Sequence, residues 1–132
     1  RMAVRFVQRQ IHVDALVSST ATRALLTAEY FAEQMKVDKD AIILNEEIYE
    51  ARARVLLNEF NKLDDKWHTV MIFGHNPGFT HIAEYLTAET IGDVPTCAIL
   101  AIDFEVESWS MISAGMGKIQ FYDYPKLHEG GV

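Results

Sequence analysis

One cysteine, Cys97, is all that the chain contains. An intrachain disulfide is thereby excluded, as is any metal site built from cysteines. Such usage fits a reducing, cytoplasmic setting. Positive charge is scarce as well: 12 Lys and Arg stand against 19 Asp and Glu, a formal net charge of −7. Nucleic-acid binding needs a basic face, so this balance argues against it while leaving room for a local positive pocket. No apolar run approaches the ~20 residues needed to cross a bilayer, and no signal-peptide pattern is visible. Phosphate-binding Gly-x-x-x-x-Gly-Lys-Ser/Thr and dinucleotide Gly-x-Gly-x-x-Gly loops are missing, as are internal repeats. With those classes set aside, 132 residues, 49% of them hydrophobic and 23% charged, suit one domain with a real core.

The apolar pattern alternates strand with helix, then turns to strands alone. "RMAVRFVQRQ" reads as a helix already under way, with Met2, Phe6 and the stem of Arg9 on one face. "VDALVSS" (13–19) is too continuously apolar for a half-exposed strand and fits a buried parallel one. Ser19 or Thr20 then caps a helix through "ATRALLTAEYFAEQM", with Ala24, Leu25, Ala28, Phe31, Ala32 and Met35 inward. "AIILNEE" is a second strand and "YEARARVLLNEFNKL" a second amphipathic helix. "TVMIF" is a third buried strand, and "FTHIAEYLT" a third helix. "TCAILAIDF", "SWSMISA" and "KIQFYDY" read as three closing strands. This order predicts a three-layer α/β sandwich: a mixed, mostly parallel sheet with helices on both faces. A single domain is expected over 1–126, followed by a frayed tail at 127–132.

Ligands of open α/β sheets sit beyond the carboxyl ends of the strands. Two polar groups fall at that edge. "SSTATR" puts Arg23 in the first turn of a helix, and "GHNPG" puts His75 at the end of the third strand. Arginine offers a fixed fork of donors to phosphate oxygens, a helix N-terminus adds its N–H groups, and an imidazolium is favoured beside a phosphate dianion. Gly74 and Gly78 are expected to let the backbone bend tightly, with Pro77 suited to a helix start. The competing readings are a solvated surface arginine and a capping or core histidine. Ser19 and Asn76 stand beside the pair and are further candidates for phosphate contact. His75 and His81 lack metal-ligand spacing, and no metal or other cofactor is expected. His12 and His68 precede strands, at the opposite end of the sheet. Cys97 is expected as a small core residue. "NEEIYEARAR" reads as a solvated helix start from which Glu46, Glu47 or Glu50 could reach the crevice as an acid.

The combination Ser-Ser-x-x-x-Arg-x-x-x-Thr-Ala-Glu with a later Gly-His-Asn-Pro-Gly, together with "IYEA", "PTCAILAIDF" and a closing "YPK", resembles the histidine phosphatase (phosphoglycerate mutase-like) superfamily, and within it the SixA-type phosphohistidine phosphatases. The resemblance covers nearly the whole chain. It implies phosphate hydrolysis through a phosphohistidine enzyme intermediate, with Arg23 and His75 as the second arginine and second histidine of a metal-free phosphate pocket. It implies a protein phosphohistidine as substrate. A small phosphomonoesterase, or a non-catalytic phosphate- or protein-binding module on the same fold, is the alternative. Glu50 and Glu46 each overlie the segment that supplies the family's acid. Two departures stand out. Thr20 replaces the usual proline, and no Arg-His dipeptide occurs in the sequence, although the family carries its nucleophile in an Arg-His-Gly or Arg-His-Ala motif on the first strand. A first strand and its loop are therefore expected upstream, in the middle of the sheet.

Overall fold

Leu16 and Val17 are neighbours on β1 (Ala15–Ser18), yet they enter different cores. Leu16 packs with Met2, Ala3 and Phe6 of α1 (Met2–Gln8) and Ala24, Ala28, Phe31 and Ala32 of α2 (Thr22–Met35). Val17 packs with Leu56 of α3 (Ala53–Asn61) and with Ile82 and Leu86 of α4 (Gly78–Thr87). A strand buried on both faces has no polar side, so every β1 position is apolar or a small, buried serine. β3 (Val70–Phe73) follows the same rule: Met71 and Phe73 join the first core, Val70 and Ile72 the second. The computed structural model is thus a three-layer α/β sandwich with α1 and α2 on one face and α3 and α4 on the other. It describes residues 2–125, so the expected tail 127–132 and the domain boundary at 126 lie outside the described residues.

β2, β1 and β3 form a parallel sheet in that order. β2 is much shorter than "AIILNEE" suggested: it spans Ile43–Leu44 at the sheet edge, with both residues exposed. β4 (Ile99–Phe104) and β5 (Gly117–Asp123) pair antiparallel in a second sheet. One mixed sheet was expected, and the described residues form two. Ile99 and Phe121 nevertheless pack on the first core, and Phe104 on the second. The hairpin therefore lies in the middle layer with β3, while no hydrogen-bonded ladder among the described residues joins β3 to β4. Both facing edges are open, and Val70, Met71, Ile72 and Ile99 to Ile102 are only half-buried.

Other expectations need correction. "SWSMISA" is not a strand; Trp109–Met111 is one 3₁₀ turn. Ser108 Oγ accepts from the Ser110 N–H and donates to Asp65, and the Trp109 indole donates to the Trp67 carbonyl at 2.9 Å. The local Ser108–Ser110 bond competes with a sheet ladder, and the bonds to Asp65 and Trp67 anchor the turn to the loop before β3. Cys97 is exposed, in a turn before β4 at φ 65°, and is no core residue. α3 begins at Ala53 rather than Tyr49: the 3₁₀ turn ends at Ile48, and Glu50 then takes a left-handed φ of 49° that a right-handed helix cannot include. The Arg9 guanidinium carbon sits 3.6 Å from the centroid of the Phe121 ring.

Candidate active site

The carboxyl ends of β1 and β3 are locked side by side. Ser18 is in register with Phe73, and the Ser19 N–H donates to the Phe73 carbonyl at 2.9 Å. From β1 the chain turns into α2, whose second residue is Arg23. From β3 it turns through Gly74 and His75 into α4. The two residues singled out from the sequence therefore stand on adjacent strand ends at one edge. Arg23 is exposed and His75 half-buried. Neither side chain has a hydrogen bond or ion pair among the described residues.

The turn at His75 is held from within. Asn76 Oδ1 accepts from the Thr80 N–H at 3.0 Å and from the Thr80 hydroxyl at 2.8 Å, and Asn76 Nδ2 donates to the Val94 carbonyl. The Val94 N–H in turn donates to Thr80 Oγ1. Further along the same strap, the Gly92 and Ile91 N–H groups donate to Glu84 and hold its carboxyl below the usual carboxylate range. Asn76 was a candidate for phosphate contact; here its side chain ties α4 to the 91–94 segment. Ser19 was another. Its side chain is fully buried, and its hydroxyl accepts from the Ala21 N–H at 3.1 Å. That bond shapes the turn but does not cap α2, whose N-cap is Ala21 without a side-chain bond.

Gly74 and Gly78 were expected for their freedom to bend, yet neither has a positive φ. Their reason is space. A Cβ on Gly74 would collide with the Phe79 ring, and one on Gly78 with the Ala51 carbonyl. The His75 turn can thus press against the Glu50–Ala51 backbone. The two segments wall a cleft of about 690 Å³, lined by Glu50, Arg52 and Arg54 on one side and by His75, Asn76 and His81 on the other. Glu50, one of the two candidate acids, faces this cleft from a left-handed backbone at φ 49°. Such conformations cost a non-glycine residue energy and gather at functional sites. Glu46, the other, sits on the preceding 3₁₀ turn and does not line the cleft; nor does Arg23. Arg52, Arg54 and His81 were not among the sequence candidates. The signal available for them was Arg-x-Arg directly after "YEA".

Among the described residues no group of three or more His, Cys, Asp or Glu could hold a metal ion, and no helix is long and apolar enough to cross a membrane. His12 and His68 are exposed at the far end of the sheet, beside Asp14.

No family model matches the chain, and no curated protein matches it as a relative. Solved structures do. A protein of Agrobacterium tumefaciens named as phosphohistidine phosphatase SixA superposes with a TM-score of 0.76 at 21% identity, over 94% of this chain and 75% of that one. A protein histidine phosphatase SixA complexed with tungstate gives 0.78 at 17% identity, over 96% and 78%. A SixA named likewise from Nakamurella multipartitia gives 0.72 at 16%, over 93% and 77%. Identities this low speak for the backbone path alone, and over its described residues that path is the fold of the SixA-type histidine phosphatases.

Proposed function

We propose that the protein is a phosphatase working through a phosphohistidine enzyme intermediate, with a protein phosphohistidine as substrate. The observation that carries this reading is His75 on a cleft wall, one strand away from Arg23, both side chains without a partner among the described residues. Buried or half-buried polar groups in a fold normally find partners; donors left open at a strand edge suit an oxyanion. Tungstate, bound in one of the similar structures, is a tetrahedral oxyanion of that kind.

In the proposed cycle an enzyme imidazole nitrogen attacks phosphorus. The P–N bond of the substrate breaks, and the leaving imidazole takes up a proton. Arg23 and His75 stabilise the equatorial oxygens. Water then attacks phosphorus, the enzyme P–N bond breaks, and inorganic phosphate leaves. In this reading Glu50, which lines the cleft, delivers or accepts the proton there. An imidazole is a better leaving group than an alkoxide, so the demand on that acid is small.

The nucleophile itself belongs, in this reading, to a further strand between β3 and β4. Among the described residues both edges there are open, with apolar side chains half-exposed on each, and open apolar edges invite a strand. The test is to trap the phosphoenzyme. Full-length protein is mixed with a labelled phosphohistidine peptide and quenched in alkali, where phosphohistidine survives. Label on a histidine upstream of Met2 is the expected result. Label on His75 would make it the nucleophile, and no label at all would remove the covalent intermediate.

A further inference from the structure

The arginines of the described residues divide into two groups. Arg5 bonds Asp123 at 3.1 Å, and Arg9 covers Phe121. Arg23, Arg52 and Arg54 have no ion pair or hydrogen-bonded partner for their side chains among the described residues. Arg23 follows the end of β1, while Arg52 and Arg54 line the cleft whose other wall carries His75. One phosphoryl group is answered by Arg23 and His75. Arg52 and Arg54 then remain on the cleft wall as surplus positive charge, opposed among the described lining residues by Glu50 alone.

That surplus is placed against the interest of stability. Arg52 is the N-cap of α3 and Arg54 lies in its first turn, with no acidic residue in that turn. The positive end of a helix dipole disfavours cations. An exposed N-cap is also better filled by Ser, Thr, Asn or Asp, and Arg52 makes no capping bond. Two cations held where the helix opposes them, facing the same cleft as His75, want an anionic partner from outside. The net charge of −7 sharpens the need, since the field of the whole protein repels an acidic substrate until local cations take over.

We infer that Arg52 and Arg54 form a second anion subsite that holds carboxylates flanking the phosphorylated residue, so that the substrate is an acidic polypeptide segment. This rests on the phosphatase reading of the same cleft. Arginine forks match carboxylates in bidentate fashion.

The test uses two peptides bearing a non-hydrolysable phosphohistidine analogue, one flanked by glutamates and one by glutamines. Their affinities for full-length protein are measured by calorimetry at low salt, alongside the Arg52→Gln/Arg54→Gln variant. Exposed ion pairs of this kind predict a preference of roughly three- to tenfold for the glutamate peptide. In the variant the ratio collapses toward one, while its thermal midpoint holds or rises because the helix terminus is relieved. A preference that survives in the variant overturns the subsite, as does equal affinity in the unaltered protein. Failure of both peptides to bind the unaltered protein instead overturns the phosphatase reading, and the subsite with it.

Discussion

Gly78 and Ala51 meet so closely that no side chain fits between them: a Cβ at Gly78 would collide with the Ala51 carbonyl oxygen. This contact joins the turn carrying His75 to the segment carrying Glu50, Arg52 and Arg54. Glycine is needed there for proximity, not for an unusual φ.

Gly78→Ala should therefore separate the two walls. Backbone carbonyls cannot step aside as a flexible side chain would, so the cost is that of overpacking, about 1–3 kcal/mol. A lowered thermal midpoint together with reduced turnover is expected. Unchanged turnover in a destabilised variant would show that the cleft does not depend on this contact.

His75→Ala separates chemistry from folding. The imidazole has no hydrogen bond among the described residues, so stability should stay within about 0.5 kcal/mol. Turnover should fall by roughly 100-fold or more if the ring stabilises charge in the transition state. Arg23→Ala should behave alike, again with the fold intact. Steady-state kinetics beside a denaturant melt decide the matter: near-normal kcat for either variant removes that residue from the mechanism.

The sandwich was readable in the sequence because strands buried on both faces must be apolar throughout, as "ALVS" and "VMIF" nearly are. The helices were readable from Ala24, Ala28, Phe31 and Ala32, and from Ile82 and Leu86, all of which are buried. "SWSMISA" misled because Trp109, Met111 and Ile112 read as a strand-like apolar run, while the distant Asp65 and the Ser108 hydroxyl accept from the backbone N–H groups of Trp109 and Ser110. The Arg23 and His75 positions were legible from their places after strands. The cleft's other wall was not. That Arg52 and Arg54 face His75 follows from the approach of Gly78 to Ala51, which no local pattern encodes.

Asn76 should prove a stabilising residue. Its amide oxygen accepts two hydrogen bonds from Thr80, and its Nδ2 reaches Val94. Asn76→Ala removes the side-chain acceptor of the Thr80 N–H and hydroxyl in the first turn of α4, a loss of about 1 kcal/mol. It also frees the 91–94 strap. A fall in thermal midpoint is expected, with faster amide exchange at Val94. Should the midpoint hold while KM for phosphorylated substrate rises sharply, the residue contacts phosphate after all.

Asp14 ties the start of β1 to the start of β3, and its titration should be visible in acid. Its Oδ2 accepts from the His68 N–H at 2.7 Å and from the Thr69 N–H at 3.0 Å. The Thr69 and His68 bonds, with help from His12, hold its carboxyl below the usual 3.8. A carboxylate whose folded value is depressed binds protons more readily in the unfolded chain. Its contribution to stability is therefore fully present above the unfolded value, and it is lost as pH falls through the lower, folded one. Asp14→Asn should destabilise the protein at neutral pH and weaken the loss of stability below about pH 4, where the unfolded carboxyl begins to protonate. Denaturant melts of both proteins from neutrality down to the acid limit measure the difference. Parallel curves across that range would mean that these two amide bonds do not discriminate between the charged and neutral carboxyl.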